Sequence, residues 1–118
     1  TDNVAELTAR MNDDGPEHIF RPQFWSSNDA LFILSVGGGT PGVSKALSYA
    51  IEDAKDKGME VFGIVGRDGG QTALRGDCVI IIPTVAKERV TPHTEAFQSV
   101  LLHLLVSHPS LQVKATKW

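Results

Sequence analysis

The sequence predicts an α/β fold, a three-layer α/β/α sandwich around a parallel sheet. Three observations carry this. Short unbroken runs rich in Val, Ile and Leu alternate with segments of helical period. Each run stops at glycine or proline. A glycine-rich turn followed by Thr-Pro joins the first run to the next helix, the sequence of a tight βα corner.

The elements follow in order. Asp2 is placed to cap a short helix over Asn3–Met11, with Val4, Leu7 and Met11 on one face. Asn12 to Pro16 is a cluster of turn formers that stops it, and a weaker helical turn follows around Glu17–Phe20. Pro22 and the stretch Ser26–Asp29 read as loop. Ala30–Ser35 is the first strand, apolar throughout and so expected to be buried on both faces. After Val36-Gly37-Gly38-Gly39, Thr40 is the expected N-cap and Pro41 the first residue of a helix running to about Lys57. Val43, Leu47, Ala50, Ile51 and Ala54 form its inward stripe, and Gly58 is its terminating residue. Met59–Val65 is the second strand. Gln71–Arg75 is one helical turn, and Cys78–Ile82 is a third strand that buries Cys78 and is closed by Pro83. Thr91-Pro92 starts a last helix to Ser107, with Ala96, Phe97, Val100, Leu101 and Leu104 inward and His93 and His108 solvated near its ends. Residues 109–118 read as a flexible tail.

Composition narrows the function. The chain has 118 residues, one domain's worth, of which 42% are hydrophobic and 21% charged, too apolar for disorder. A net charge of −3 argues against a nucleic-acid partner held by phosphate neutralisation. No apolar run reaches the ~18 residues that cross a bilayer, and no basic-then-apolar leader opens the chain, so a cytoplasmic, non-membrane domain is expected. The single cysteine, Cys78, excludes an intrachain disulfide and a Cys-rich zinc site.

The glycine loop is the sharpest functional feature. In an open parallel sheet, ligands bind beyond the carboxyl ends of the strands. Gly37, Gly38 and Gly39 let backbone approach an anion, Ser35 and Thr40 add hydroxyls, and the helix start supplies N–H groups. No basic residue lies within the loop, so dipoles alone are expected to hold a phosphate there. The same residues fit the dinucleotide pattern G-x-G-x-x-G through Gly37, Gly39 and Gly42, but the acid this requires, Asp68, stands late.

Taken together, Ser35-Val36-Gly37-Gly38-Gly39-Thr40-Pro41, Gly58-Met59-Glu60-Val61, Gly66-Arg67-Asp68-Gly69-Gly70 and Asp77 to Pro83 resemble the sugar-isomerase (SIS) domain. The resemblance runs over residues 1–15 and 29–108 and is nearest to the phosphoheptose isomerase branch, where the loop reads S-T-S-G-N-S-P-N and the next strand leads into G-R-D-G-G. It implies a flavodoxin-like Rossmannoid domain that is a sugar-phosphate aldose–ketose isomerase. The phosphate would lie on Ser35, Gly37, Gly38, Gly39 and Thr40, bordered by Arg67 and Asp68. Val36, Gly37 and Gly39 replace two hydroxyl residues and an asparagine of the family loop, removing side-chain donors.

Aligning the family's last-helix histidine with His103 puts Glu95 where the branch has a glutamine. The resemblance therefore implies Glu95 and His103 as acid and base for proton transfer between neighbouring carbons. Eight helical residues separate the two, about 80° around the axis. Alternatives stand beside these roles: His103 among four leucines suits a packed histidine, and Glu95 near a helix start complements the dipole. Arg67 and Asp68 could pair or shape their turn. The family's GNGGSA-type first motif has no counterpart here, so the chain reads as a partial SIS domain, with three strands where the family has five. No cofactor is expected; zinc is implied by the resemblance only through part of its site. A homodimer or homotetramer is expected to cover the edges of so narrow a sheet. A non-catalytic phosphosugar-binding or protein-interaction module is the alternative function.

Overall fold

In the computed structural model, residues 3–21, 25–115 and 117 are described. Helix α1 (Val4–Asp13) is followed by a 3₁₀ turn at Pro16–His18, strand β1 (Ala30–Ser35), helix α2 (Lys45–Asp56), strand β2 (Glu60–Val65) and the short helix α3 (Gly70–Arg75). Strand β3 (Cys78–Ile81), a 3₁₀ turn at Lys87–Arg89 and helix α4 (Val90–Ser107) complete the order. The three strands are parallel, in the spatial order β1-β2-β3, with Ser35 level with Val65 and Val65 level with Ile81. All three therefore present their carboxyl ends on one rim of the sheet.

The core lies under α2. Ile51 and Ala54 pack on Ile33, Val61 and Val65, with Met59 closing one end and Trp25, Leu31, Leu47 and Val79 around it. These are alternate residues of each strand, so α2 covers one sheet face. Helix α3 shares that face, because a Cβ on Gly63 would meet the Thr72 methyl at 2.5 Å. The third layer is α4, whose Gln98 reaches the strand backbone at Ser35 and Ile64. At the foot of the sheet, Asp77 Oδ2 accepts the Val61 N–H at 2.7 Å and the Lys55 ammonium. Those bonds, the Lys55 one foremost, hold the Asp77 carboxyl below the usual carboxylate range.

Several expectations are corrected. Asp2 lies outside the described residues, and Asn3 caps α1, its side chain accepting the Ala5 and Glu6 N–H groups. No residue of α1 is buried, because that helix meets the body through the 3₁₀ turn. Helix α2 starts at Lys45 rather than at Thr40-Pro41: Ser44 before it is left-handed (φ +60°), and Thr40 instead closes a turn on Val43. Val43 is consequently 72% exposed, while Gly58 (φ +72°) ends the helix as expected. Burial on both faces holds for β2, with Val61 and Val65 on one face and Ile64 on the other, but not for β1 and β3. Phe32 and Leu34 of β1 and Ile80 of β3 are exposed because α4, on the second face, packs chiefly on β2. Cys78, on the outer strand, is exposed too.

The largest correction concerns α4. Its inward row is Thr94, Gln98, Leu101 and Leu105, spaced i, i+4, i+7, i+11, with Thr94 and Gln98 buried. Ala96, Phe97, Val100 and Leu104 point outward; Leu101 alone of the expected set packs inward. His93 is half-buried against Phe97 and Ile81, not fully solvated. His108 is exposed and caps the helix end, and residues 109–112 form a turn whose Leu111 and Gln112 N–H groups donate to the His108 carbonyl.

Candidate anion-binding site

The site is built where β1 and β2 release their chains. Ser35 begins the glycine loop by accepting the Gly38 N–H on its Oγ at 3.0 Å. Gly38 then turns left-handed (φ +66°), and a Cβ there would lie 1.9 Å from the Gly69 carbonyl oxygen. Only glycine lets the Gly66–Gly70 loop rest on this backbone. Hydrogen bonds stitch the two loops together. The Gln71 N–H donates to the Gly39 carbonyl at 2.8 Å, and the Thr72 N–H to the Gly38 carbonyl at 2.9 Å. The fully buried Thr72 hydroxyl donates to the same Gly38 oxygen at 2.8 Å. The first N–H groups of α3 are thus spent on loop carbonyls.

On the outer side of this seam, Gly37, Gly39, Thr40, Ser44, Arg67 and Asp68 line a cleft of about 430 Å³. Among the described residues, the Gly37 and Gly39 N–H groups have no hydrogen-bond partner. The Thr40 Oγ1 accepts the Val43 N–H and donates to the Val43 carbonyl, both at 3.0 Å, so it shapes the loop. Arg67 is left-handed (φ +52°) and exposed, and among the described residues its guanidinium has no ion-pair partner. It brings to the cleft a positive charge that the glycine loop lacks, beside the carboxylate of Asp68. Asp68 Oδ1 accepts the Gly70 N–H at 3.2 Å and stiffens the second loop. Free N–H groups, the Arg67 guanidinium and a helix start at Ser44 are groups of the kind that can receive a small oxyanion.

Comparisons with known proteins bear on the fold that carries this site. No protein-family profile matches the chain. A phosphoheptose isomerase from Helicobacter pylori is 35% identical over 103 residues, 87% of this chain and 51% of that protein. One from Leptospira biflexa is 36% identical over 107 residues, 88% of this chain and 48% of that protein. Among solved structures, a phosphoheptose isomerase from Neisseria gonorrhoeae superposes with a TM-score of 0.70 at 28% identity, covering 86% of this chain and 55% of that one. The chain is similar to phosphoheptose isomerases over most of its own length. A Francisella tularensis phosphoheptose isomerase, 23% identical with a TM-score of 0.67 over 87% of this chain and 55% of that one, shares the fold. The chain spans about half the length of the curated relatives it matches.

Of the expected phosphate-holding residues, Gly37, Gly39 and Thr40 line the cleft together with Arg67 and Asp68. Gly38 is buried behind it, its N–H given to Ser35, and Ser35 itself lines a separate cavity of about 620 Å³ beside Trp25 and Leu34. Glu95 and His103 are exposed on α4, and neither lines the cleft. Among the described residues, no three His, Cys, Asp or Glu side chains gather closely enough to hold a metal. Sequence reasoning missed Thr72 and Gln98, the buried polar residues that build the loops. The Thr94–Gln98–Leu101–Leu105 spacing was the available signal for Gln98.

Proposed function

We propose that this chain binds a phosphorylated sugar, its phosphate on the Gly37–Thr40 backbone and Arg67, and acts in aldose–ketose isomerisation of a heptose phosphate. The observation that carries this reading is the seam of two glycine loops that leaves the Gly37 and Gly39 N–H groups free beside an unpaired Arg67. Relatedness to phosphoheptose isomerases supports the choice of sugar and reaction. Isomerisation of that kind removes a proton beside the carbonyl and returns it to the neighbouring carbon through an enediol.

Glu95 and His103 remain the proposed acid and base. Because both stand on the exposed side of α4, they serve a sugar only where another surface closes over that helix. The outward Phe97, Val100 and Leu104 favour a second copy of the chain in a homodimer or homotetramer. No helix of the described residues is long and apolar enough to cross a membrane. A doubly charged sugar phosphate does not cross a bilayer unaided, which suits the cytoplasmic setting expected from sequence.

The exposure of Glu95 and His103 also favours a second reading, a phosphosugar-binding module without turnover. Incubation with sedoheptulose 7-phosphate separates the two. Isomer formation lost in Glu95→Gln and His103→Ala supports the enzyme; binding without turnover supports the module. Stabilisation by NAD and by no sugar phosphate would overturn both.

A further inference from the structure

We propose that a second cleft, between α2 and α3, is a distinct binding site for a phosphate monoester. It encloses about 420 Å³. Lys45, Ser48, Tyr49 and Glu52 line it from α2 at i, i+3, i+4 and i+7, one continuous helix face. Gln71 and Arg75, at i and i+4 on α3, oppose them, and Pro41 closes one end. None of these seven residues lines the cleft at Gly37 and Arg67.

Its chemistry is that of an anion receptor. Two cations face one carboxylate, and the single contact between them is loose: Arg75 Nη1 stands 4.0 Å from Glu52 Oε1. Among the described residues, the Lys45 ammonium, the Tyr49 hydroxyl and the Gln71 side-chain amide have no hydrogen-bond or ion-pair partner. The lining therefore holds one unpaired cation, a second weakly engaged, and uncommitted neutral donors. A phosphate monoester fits this set, its oxygens taking charge-assisted bonds from Lys45 and Arg75 and its organic part meeting Tyr49 and Pro41.

An independent observation points the same way. The Ser48 Oγ on this wall is buried and has no hydrogen-bond partner, an arrangement folded proteins avoid unless something else completes it. Ser48 also sits against the glycine loop, since a Cβ on Gly39 would lie 3.3 Å from its Oγ. On α3, the Gln71 N–H holds the Gly39 carbonyl. An anion here would thus be felt at Gly39, which also lines the first cleft.

The test is a titration of the chain with inorganic phosphate at constant ionic strength, chloride serving as the reference salt. Nuclear magnetic resonance reads the Gln71 side-chain amide and Arg75 Nε for this cleft, and the Gly37 and Gly39 amides for the first. Expected is a saturable shift at Gln71 and Arg75 whose affinity falls roughly tenfold or more in Lys45→Ala, with the Gly37 response still saturable. Ser48→Ala, a smaller change at a second wall position, should weaken the same response. An equal response to chloride, a response that never saturates, or one unchanged in both variants would overturn the proposal. Loss of the Gly37 response alone would count against the sugar-phosphate reading and leave this site standing.

Discussion

Gln98 Nε2 donates to the Ile64 carbonyl oxygen at 2.7 Å, a side-chain bond from the middle of α4 to the middle strand of the sheet. The same nitrogen lies 3.3 Å from the Ser35 carbonyl oxygen. One amide thereby ties together the strands that release the two glycine loops. Gln98→Leu keeps the volume and removes the donor, leaving strand carbonyls without it. It should cost about 1–3 kcal/mol in urea unfolding. Phosphate affinity at the Gly37 amide should fall as well, which simple destabilisation of a still-folded chain would not produce.

Neighbouring glycines should behave oppositely. A Cβ on Gly38 collides with the Gly69 carbonyl, whereas one on Gly37 meets nothing within 4 Å. Gly38→Ala should lose at least ~2 kcal/mol through clash and left-handed strain, and Gly37→Ala should stay within ~0.5 kcal/mol. Chemical denaturation of both variants checks the contrast.

Arg67 separates binding from stability. Its left-handed backbone costs an L-residue about 1 kcal/mol, which Arg67→Gly would relieve. Calorimetry should show that variant unfolding no earlier than the parent while phosphate binds at least roughly tenfold more weakly in the first cleft. Unchanged phosphate affinity would remove Arg67 from the site.

Acid should act through Asp77. Because its folded pKa is depressed by Lys55 and the Val61 N–H, its contribution is present above the unfolded carboxylate pKa, near 4, and is lost as pH falls through the folded value. The stability gap between the parent and Asp77→Asn should therefore be larger at pH 7 than in strong acid. Urea titrations across that range measure it.

How much of this was legible in the sequence depended on what each residue touched. The strands and the glycine loop could be read because Ala30–Ser35 and Gly37–Gly39 carry their signals locally. The α2 start was misplaced because Thr40-Pro41 offers good capping chemistry, while the left-handed Ser44 that begins the helix carries no such mark. The rotation of α4 was hidden for a different reason. Hydrophobicity favoured Phe97, Val100 and Leu104 as inward residues, but the strand ends required hydrogen-bond donors, and Gln98 took the buried position. Arg67, which the resemblance set at the border of the glycine loop, lines the same cleft as Gly37 and Gly39.

That seam also provides a built-in probe. The amide protons of Gln71 and Thr72 are held by Gly39 and Gly38, so they become free to exchange with solvent only when the two loops part. Their hydrogen-exchange rates report the opening of the glycine loop from residues that do not line the first cleft. A ligand that tightens the loop would slow both amides together, allowing occupancy to be followed by isotope labelling without any reporter group at the site.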